Sequence, residues 1–151
     1  MNRIDHMNLQ AWLRSAAQSR VGRDYLIEKF VAKKTALVVV DMQNYFMKPE
    51  FQAGCPMAIE IVPKVNEMVQ TLRAKGGAIV WVQTTAAPEA TVDWGIYQEL
   101  NAPEKWARRN IELSENHEGY ELYTELDVDV DDLFVKKTRF SAFIPGSSDI
   151  E

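Results

Sequence analysis

The chain has one cysteine, Cys55, so no disulfide can form within it. That scarcity leans toward a reducing compartment. Its two histidines, His6 and His117, stand far apart without ligand spacing, which disfavours an imidazole-built metal site. Unbroken apolar runs are short, as in Ala36 to Val40, whereas a membrane span needs roughly 18 apolar residues. Met1 to His6 is polar and no apolar stretch follows, so no secretory signal is expected and the cytoplasm is the expected location. There is no basic excess. Lys and Arg number 17 against 22 Asp and Glu, a net charge of −5, so no nucleic-acid footprint is expected. The seven glycines form no Gly-x-Gly-x-x-Gly or P-loop pattern, and no cofactor is expected. What remains is an ordinary globular composition, 46% hydrophobic and 26% charged over 151 residues, one domain's worth of chain.

The first 33 residues read as an appended helical segment. Leu9, Trp12, Leu13 and Ala16 recur at helical spacing, and Tyr25, Leu26 and Phe30 suggest a further turn or two. The domain proper is expected over 34–151. Thr35 to Val40 is apolar and rich in β-branched residues, the pattern of a strand buried on both faces of a parallel sheet. Pro63 to Lys75 reads as a helix, with Pro63 in the first turn and Gly76-Gly77 as its stop. Val65, Val69 and Leu72 line one face, with Met68 beside them. Ala78 to Val82 is a second strand, completing a right-handed βαβ unit. The polar and aromatic stretch Gln83 to Glu118 reads as a long loop that lines a site. Tyr120 to Leu126 reads as a short helix or turn, and Leu133 to Lys137 as a third strand. Ser148 is a candidate helix cap, with Glu151 at the capping-box position. The fold class is therefore α/β, a parallel sheet with three strands visible. So small a sheet leaves a strand position unpaired, which argues for an assembly, a homo-oligomer being the expectation, or for further chain.

In an open α/β sheet the ligand site lies outside the carboxyl ends of the strands. Asp41 follows the first strand and Lys137 ends the third. A lysine beside the carboxylate would favour its charged form, and the carboxylate could then take or relay a proton. The plainer alternative is two solvated strand-end charges. Gln43 and Asn44 could orient Asp41 or a substrate amide, or could satisfy loop backbone groups. Arg139 could grip a substrate carboxylate with its planar fork, or form an ion pair with an acidic neighbour. Phe46, Trp94, Trp106 and Phe143 could wall a pocket for a small planar amide, or could be plain core. Asp127-x-Asp129-x-Asp131 hints at a calcium loop but lacks the sixth-position glycine, so it reads as a solvated turn.

Two stretches carry a resemblance. Thr35-Ala-Leu-Val-Val-Val-Asp41-Met-Gln-Asn44 resembles the first-strand motif of the isochorismatase-like cysteine hydrolase superfamily, which includes nicotinamidases and ureidoacrylate amidohydrolases. Lys137-Thr-Arg139-Phe-Ser-Ala-Phe143 resembles that family's second motif. The resemblance covers about Lys34 to Glu151. It implies a Rossmann-like three-layer α/β/α fold whose parallel sheet has about six strands. It also implies an aspartate, lysine and cysteine triad. Asp41 matches the aspartate and Lys137 the lysine, since Lys136 would point to the opposite face. The family's cysteine lies at a helix start after the next strand, where the helix terminus stabilises thiolate. No residue here matches it, and Cys55 reads as a partly buried loop thiol. Relatives that hydrolyse nicotinamide carry an Asp-x-His-x-x-His cluster after the second strand, and Gln83 to Asp93 has no histidine, so no metal is expected.

The resemblance thus implies an amidohydrolase cleaving a small amide, ureido or carbamoyl C–N bond through a cysteine acyl-enzyme, with the nucleophile beyond residue 151. Asp41 and Lys137 are the catalytic candidates, and Gln43, Asn44, Phe46 and Arg139 the substrate-binding ones. The alternatives are a non-catalytic binding or assembly module, or a cysteine-independent vinyl-ether hydrolase.

Overall fold

A computed structural model describes residues 6–25, 29–86, 98–148 and 150. Trp94, Leu26 and Glu151 lie outside the described residues. The chain divides into two compact units, Met1–Val31 and Ala32–Glu151. The first contains helix α1, His6–Val21. Gly22 follows at φ 71°, a left-handed conformation that suits the end of a helix, and its N–H donates to the Gln18 carbonyl. Of the further helical turn expected at Tyr25, Leu26 and Phe30, Tyr25 and Phe30 are not helical and residues 26–28 lie outside the described residues. Among the described residues no helix is long and apolar enough to cross a membrane.

The second unit is built on a three-stranded parallel sheet in the order β1-β2-β3, formed by Ala36–Val40, Ala78–Thr84 and Leu133–Lys137. The register aligns Val40 with Val82 and Thr84 with Lys137, so the three carboxyl ends meet at one edge. Between β1 and β2 lie the single-turn helix α2, Asn44–Met47, and helix α3, Val62–Arg73. Pro63 sits in the first turn of α3, where its missing N–H leaves no helical bond unmade. Gly76, at φ 76°, turns the chain out, and the Gly77 N–H closes the helix on the Leu72 carbonyl. A Cβ on Gly77 would lie 2.5 Å from the Leu72 side chain and 2.9 Å from the Ala32 carbonyl oxygen, so the close approach needs glycine.

The main core forms where Val62, Val69 and Leu72 of α3 meet Val39, Ile79 and Trp81 on one face of the sheet. Met68, read as lying beside that face, is instead exposed. β2, paired on both sides, is buried from Ile79 to Thr84. β1 is not buried on both faces as its composition suggested. Val39 is buried, while Val38 and Val40, on the other face of this edge strand, are exposed. β3 inverts the usual pattern: Leu133 and Phe134 are exposed and Lys137 is its one buried residue. The stretch read as one long loop contains helix α4, Pro103–Glu112, with a proline in its first turn and Trp106 and Glu112 buried. Its Arg108–Glu112 pair, four residues apart at 2.6 Å, adds local support.

The acidic turn before β3 is structural rather than merely solvated. Asp132 accepts from Arg73 Nη2 at 2.7 Å, from Trp81 Nε1 at 2.8 Å and from the Asp129 N–H at 3.0 Å. Burial pushes the Asp132 carboxyl up, but the hydrogen bonds from Arg73, Trp81 and Asp129 outweigh it and hold it below the usual carboxylate range. A carboxyl lowered in the folded state stabilises the fold above its unfolded pKa, and that gain vanishes as pH falls through the lower folded value. Asp132→Ala is therefore expected to cost about 2–3 kcal/mol at neutral pH, less than a fully buried pair because Arg73 reaches water. The difference from the parent should narrow below about pH 4. Urea unfolding at several pH values checks both; a pH-independent difference would contradict the ionic origin.

Candidate active site at the strand ends

Asp41 lies directly after β1 and is the one non-glycine residue with positive φ, 60°, among the described residues. Its N–H still donates to the Val82 carbonyl at 2.9 Å, extending the β1–β2 ladder by one step. In a regular continuation Asp41 would stand opposite Gln83 and share its face. The left-handed backbone breaks that alternation where the carboxylate meets Thr84 and Lys137. Aspartate tolerates this region better than most residues, at a cost of order 1 kcal/mol.

Thr84 and Lys137 are register partners at the ends of β2 and β3, so their side chains share a face. Lys137 Nζ donates to Asp41 Oδ2 at 2.9 Å and to the Arg139 carbonyl at 3.3 Å. Thr84 Oγ1 donates to Asp41 Oδ1 at 2.7 Å. Each carboxylate oxygen therefore has one donor. The lysine side chain is 3% exposed and that of the aspartate 30%, so the pair is sealed from below and open at the acid. Lys136, one residue earlier, pairs with Glu115 at 2.6 Å instead.

Gln43 is fully buried, and its amide is spent on backbone. Oε1 accepts from the Thr84 N–H at 2.7 Å, and Nε2 donates to the carbonyls of Thr84 at 3.0 Å and Tyr120 at 2.8 Å. Asn44 Nδ2 donates to the Glu118 carbonyl at 2.9 Å. These two residues bind the α2 turn to the end of β2 and to the 118–120 turn. Of the two roles read for Gln43, these bonds serve the second, the satisfaction of backbone groups: both amide hydrogens and one lone pair of Oε1 are engaged by backbone. Gln43→Ala removes the acceptor of the buried Thr84 N–H and takes one donor each from the Thr84 and Tyr120 carbonyls, the latter keeping Gln83 Nε2. It is expected to lower stability by about 2–4 kcal/mol in chemical denaturation. A change below about 0.5 kcal/mol would show that the clamp is dispensable.

A cavity of about 140 Å³ opens over the pair, with Asp41, Thr84 and Lys137 in its wall. Phe46 and Phe140 supply apolar surface, and Arg109 and Arg139 supply guanidinium groups. Phe46 and Arg139 thus line the same cavity as Asp41 and Lys137. Arg139 forms no ion pair with an acidic side chain among the described residues; its Nη1 donates to the Pro145 carbonyl at 3.4 Å. Trp106 and Phe143, candidate wall residues, are elsewhere: Trp106 is buried under Arg109 and Phe143 is exposed. Thr84 and Phe140 were not singled out from the sequence, while Arg109 belongs to the 83–118 stretch read as lining a site. Cys55 is exposed rather than partly buried, and it is not in the cavity wall. Among the described residues no three His, Cys, Asp or Glu side chains are grouped to hold a metal ion.

A parallel α/β sheet carrying an acid–lysine pair across its strand ends defines a class of protein, and comparison with known proteins gives the family. Residues 35–149 match the isochorismatase domain, and the chain belongs to that family. Solved structures share the fold. A cysteine hydrolase from Pseudomonas syringae is 21% identical, with a TM-score of 0.66 over 82% of this chain and 57% of its own. An isochorismatase family protein from Desulfovibrio vulgaris is 25% identical, with a TM-score of 0.56 over 73% and 55%. N-carbamoylsarcosine amidase from Thermoplasma acidophilum is 25% identical, with a TM-score of 0.52 over 74% and 56%. The chain thus spans little more than half the length of these relatives. No curated protein matches.

Proposed function

We propose that this chain supplies the Asp41–Lys137 pair of an isochorismatase-like amidohydrolase that cleaves a small amide, ureido or carbamoyl C–N bond. The observation that carries the reading is the 2.9 Å contact between Lys137 and Asp41 in the wall of a cavity at the strand ends. A cysteine thiol from outside residues 1–151 attacks the carbonyl carbon, and Asp41 accepts the thiol proton. Lys137 stabilises the negative charge that develops in the attack. The tetrahedral intermediate collapses, Asp41 returns the proton to the departing nitrogen, and a thioester remains. Water then attacks the thioester carbon, Asp41 takes the water proton, and the acid and the free thiol are released. Thr84 holds the second carboxylate oxygen and so fixes which lone pair faces the reacting atoms. Phe46 and Arg139 contact the substrate.

The test is ammonia release from a panel of small amides and ureido compounds by the full-length polypeptide and its Cys55→Ser variant. Turnover is expected, it should survive Cys55→Ser, and iodoacetamide should abolish it in both proteins. Failure to hydrolyse any C–N compound would overturn the reading. Loss of turnover in Cys55→Ser would relocate the nucleophile to Cys55.

A further inference from the structure

Residues 48–55 include Pro49 and Gly54 and form neither helix nor strand, so other parts of the fold must hold them in place. Their position matters because Ala53 stands in the cavity wall, as does Phe46 just before the loop. Resting on the reading of this cavity as a C–N hydrolase site, we propose that Glu112 is a positioning residue for substrate binding. Its carboxylate, on α4, fixes the 48–55 loop and with it the wall that Ala53 forms.

Glu112 is buried and is not itself in the cavity wall, so it acts through the loop. Its Oε2 accepts from the Gln52 N–H, next to Ala53, at 3.0 Å, and its Oε1 accepts from Arg108 Nε at 2.6 Å. Arg108 reaches the same loop, its Nη2 donating to the Glu50 carbonyl at 2.8 Å. Two α4 side chains thus grip the loop at residues 50 and 52. Each of these bonds has a charged partner and is stronger than a neutral one. Phe51 adds an apolar hold against the small core of Tyr45, Ala86 and Leu113. The Gln52 side chain adds none, since its buried Oε1 has no donor among the described residues.

Glu112 is a fixed post. The carbonyl of the next residue, Leu113, accepts from the Ala86 N–H at 3.1 Å and ties the end of α4 to the chain leaving β2. Gly119 approaches the Glu112 carbonyl so closely that no Cβ fits there. The loop, for its part, is closed on itself. Phe51 N–H donates to the Lys48 carbonyl at 3.3 Å, and Gly54 N–H to the Phe51 carbonyl at 3.1 Å. These bonds are internal and outlast the loss of Glu112, so a released loop shifts as a body and carries Ala53 with it. The cavity, at about 140 Å³, equals only a few waters' share of liquid volume. In so small a space a wall displaced by about 1 Å spoils the fit of a substrate.

The experiment compares the full-length parent with Glu112→Ala, Glu112→Gln and Arg108→Ala. Amide hydrogen exchange of residues 48–55 and 78–84 reads local opening. kcat and KM are measured with whichever of acetamide, methylurea and methyl carbamate the parent hydrolyses fastest. In Glu112→Ala, exchange at 48–55 is expected to quicken at least about tenfold while 78–84 stays unchanged. KM should rise about tenfold with kcat within about twofold, because binding surface is lost and the reacting groups are not. Glu112→Gln keeps an oxygen for the Gln52 N–H and should recover most of both effects. Arg108→Ala, which loses only the outer half of the grip, should raise KM about threefold. Unchanged exchange at 48–55 would overturn the proposal, as would a fall in kcat at constant KM. Equal quickening at 78–84 would also overturn it, since that marks general destabilisation. Arg108→Ala carries the same tests at smaller size if Glu112→Ala does not fold. Absence of hydrolysis by the parent would remove the hydrolase reading, and the exchange result would then decide by itself whether Glu112 holds the wall.

Discussion

Asp41→Asn is expected to lower kcat of the full-length protein by about 10³-fold while leaving the fold in place. The substitution is nearly isosteric. An asparagine oxygen still accepts from Lys137, and the amide can donate to Thr84 Oγ1, so the contacts at 2.9 and 2.7 Å have replacements. Asparagine also tolerates the left-handed backbone at φ 60°. What disappears is the basic oxygen that takes a proton. Thermal unfolding should therefore shift little, by less than about 1 kcal/mol in stability, while turnover collapses. If stability and activity fell together, Asp41 would be a structural residue whose carboxylate merely anchors Lys137.

Lys137→Met should also be severe, and for a different reason. Methionine fills much of the volume of a side chain that is 3% exposed, so packing is largely kept. The ammonium is lost, and with it the charge that offsets both Asp41 and the negative charge formed during attack on a carbonyl. A fall in kcat/KM of about 10²–10³-fold is expected from removing one preorganised electrostatic donor. Stability should fall by about 1–3 kcal/mol. Removing one partner of a fully buried pair costs more, but the 30% exposure of Asp41 lets water take over part of the lysine's role. Steady-state kinetics with denaturant unfolding separates the two effects. Full turnover in the variant would remove Lys137 from the chemistry.

Much of this site was legible in the sequence because strand ends are sharply written. An apolar β-branched run that stops at Asp41, and a strand that ends in Lys137, place both charges at one edge once the strands are parallel. Thr84 was missed because its role depends on register: it matters through standing opposite Lys137, and the sequence does not align β2 with β3. Gln43 was ambiguous for a related reason. Its three backbone partners come from Thr84 and Tyr120, 41 and 77 residues away, and no local pattern shows them. Helix α4 did leave a signal, a proline at the start and an Arg–Glu pair four residues apart, but the surrounding polar and aromatic composition obscured it. Burial failed in an instructive way. Val38, Val40, Leu133 and Phe134 have the composition of a covered strand, yet coverage depends on layers packed against them rather than on the strand itself.

Whether Asp41 and Lys137 act as one unit is tested most directly by a double-mutant cycle on hydrolysis by the full-length protein. The measurement compares kcat/KM for Asp41→Asn, Lys137→Met and the double variant. Residues that share one function are strongly non-additive, so the double variant is expected to lose no more than the worse single variant. Losses that multiply would mean that the two side chains, though 2.9 Å apart, contribute independently, and would contradict a coupled acid–lysine pair.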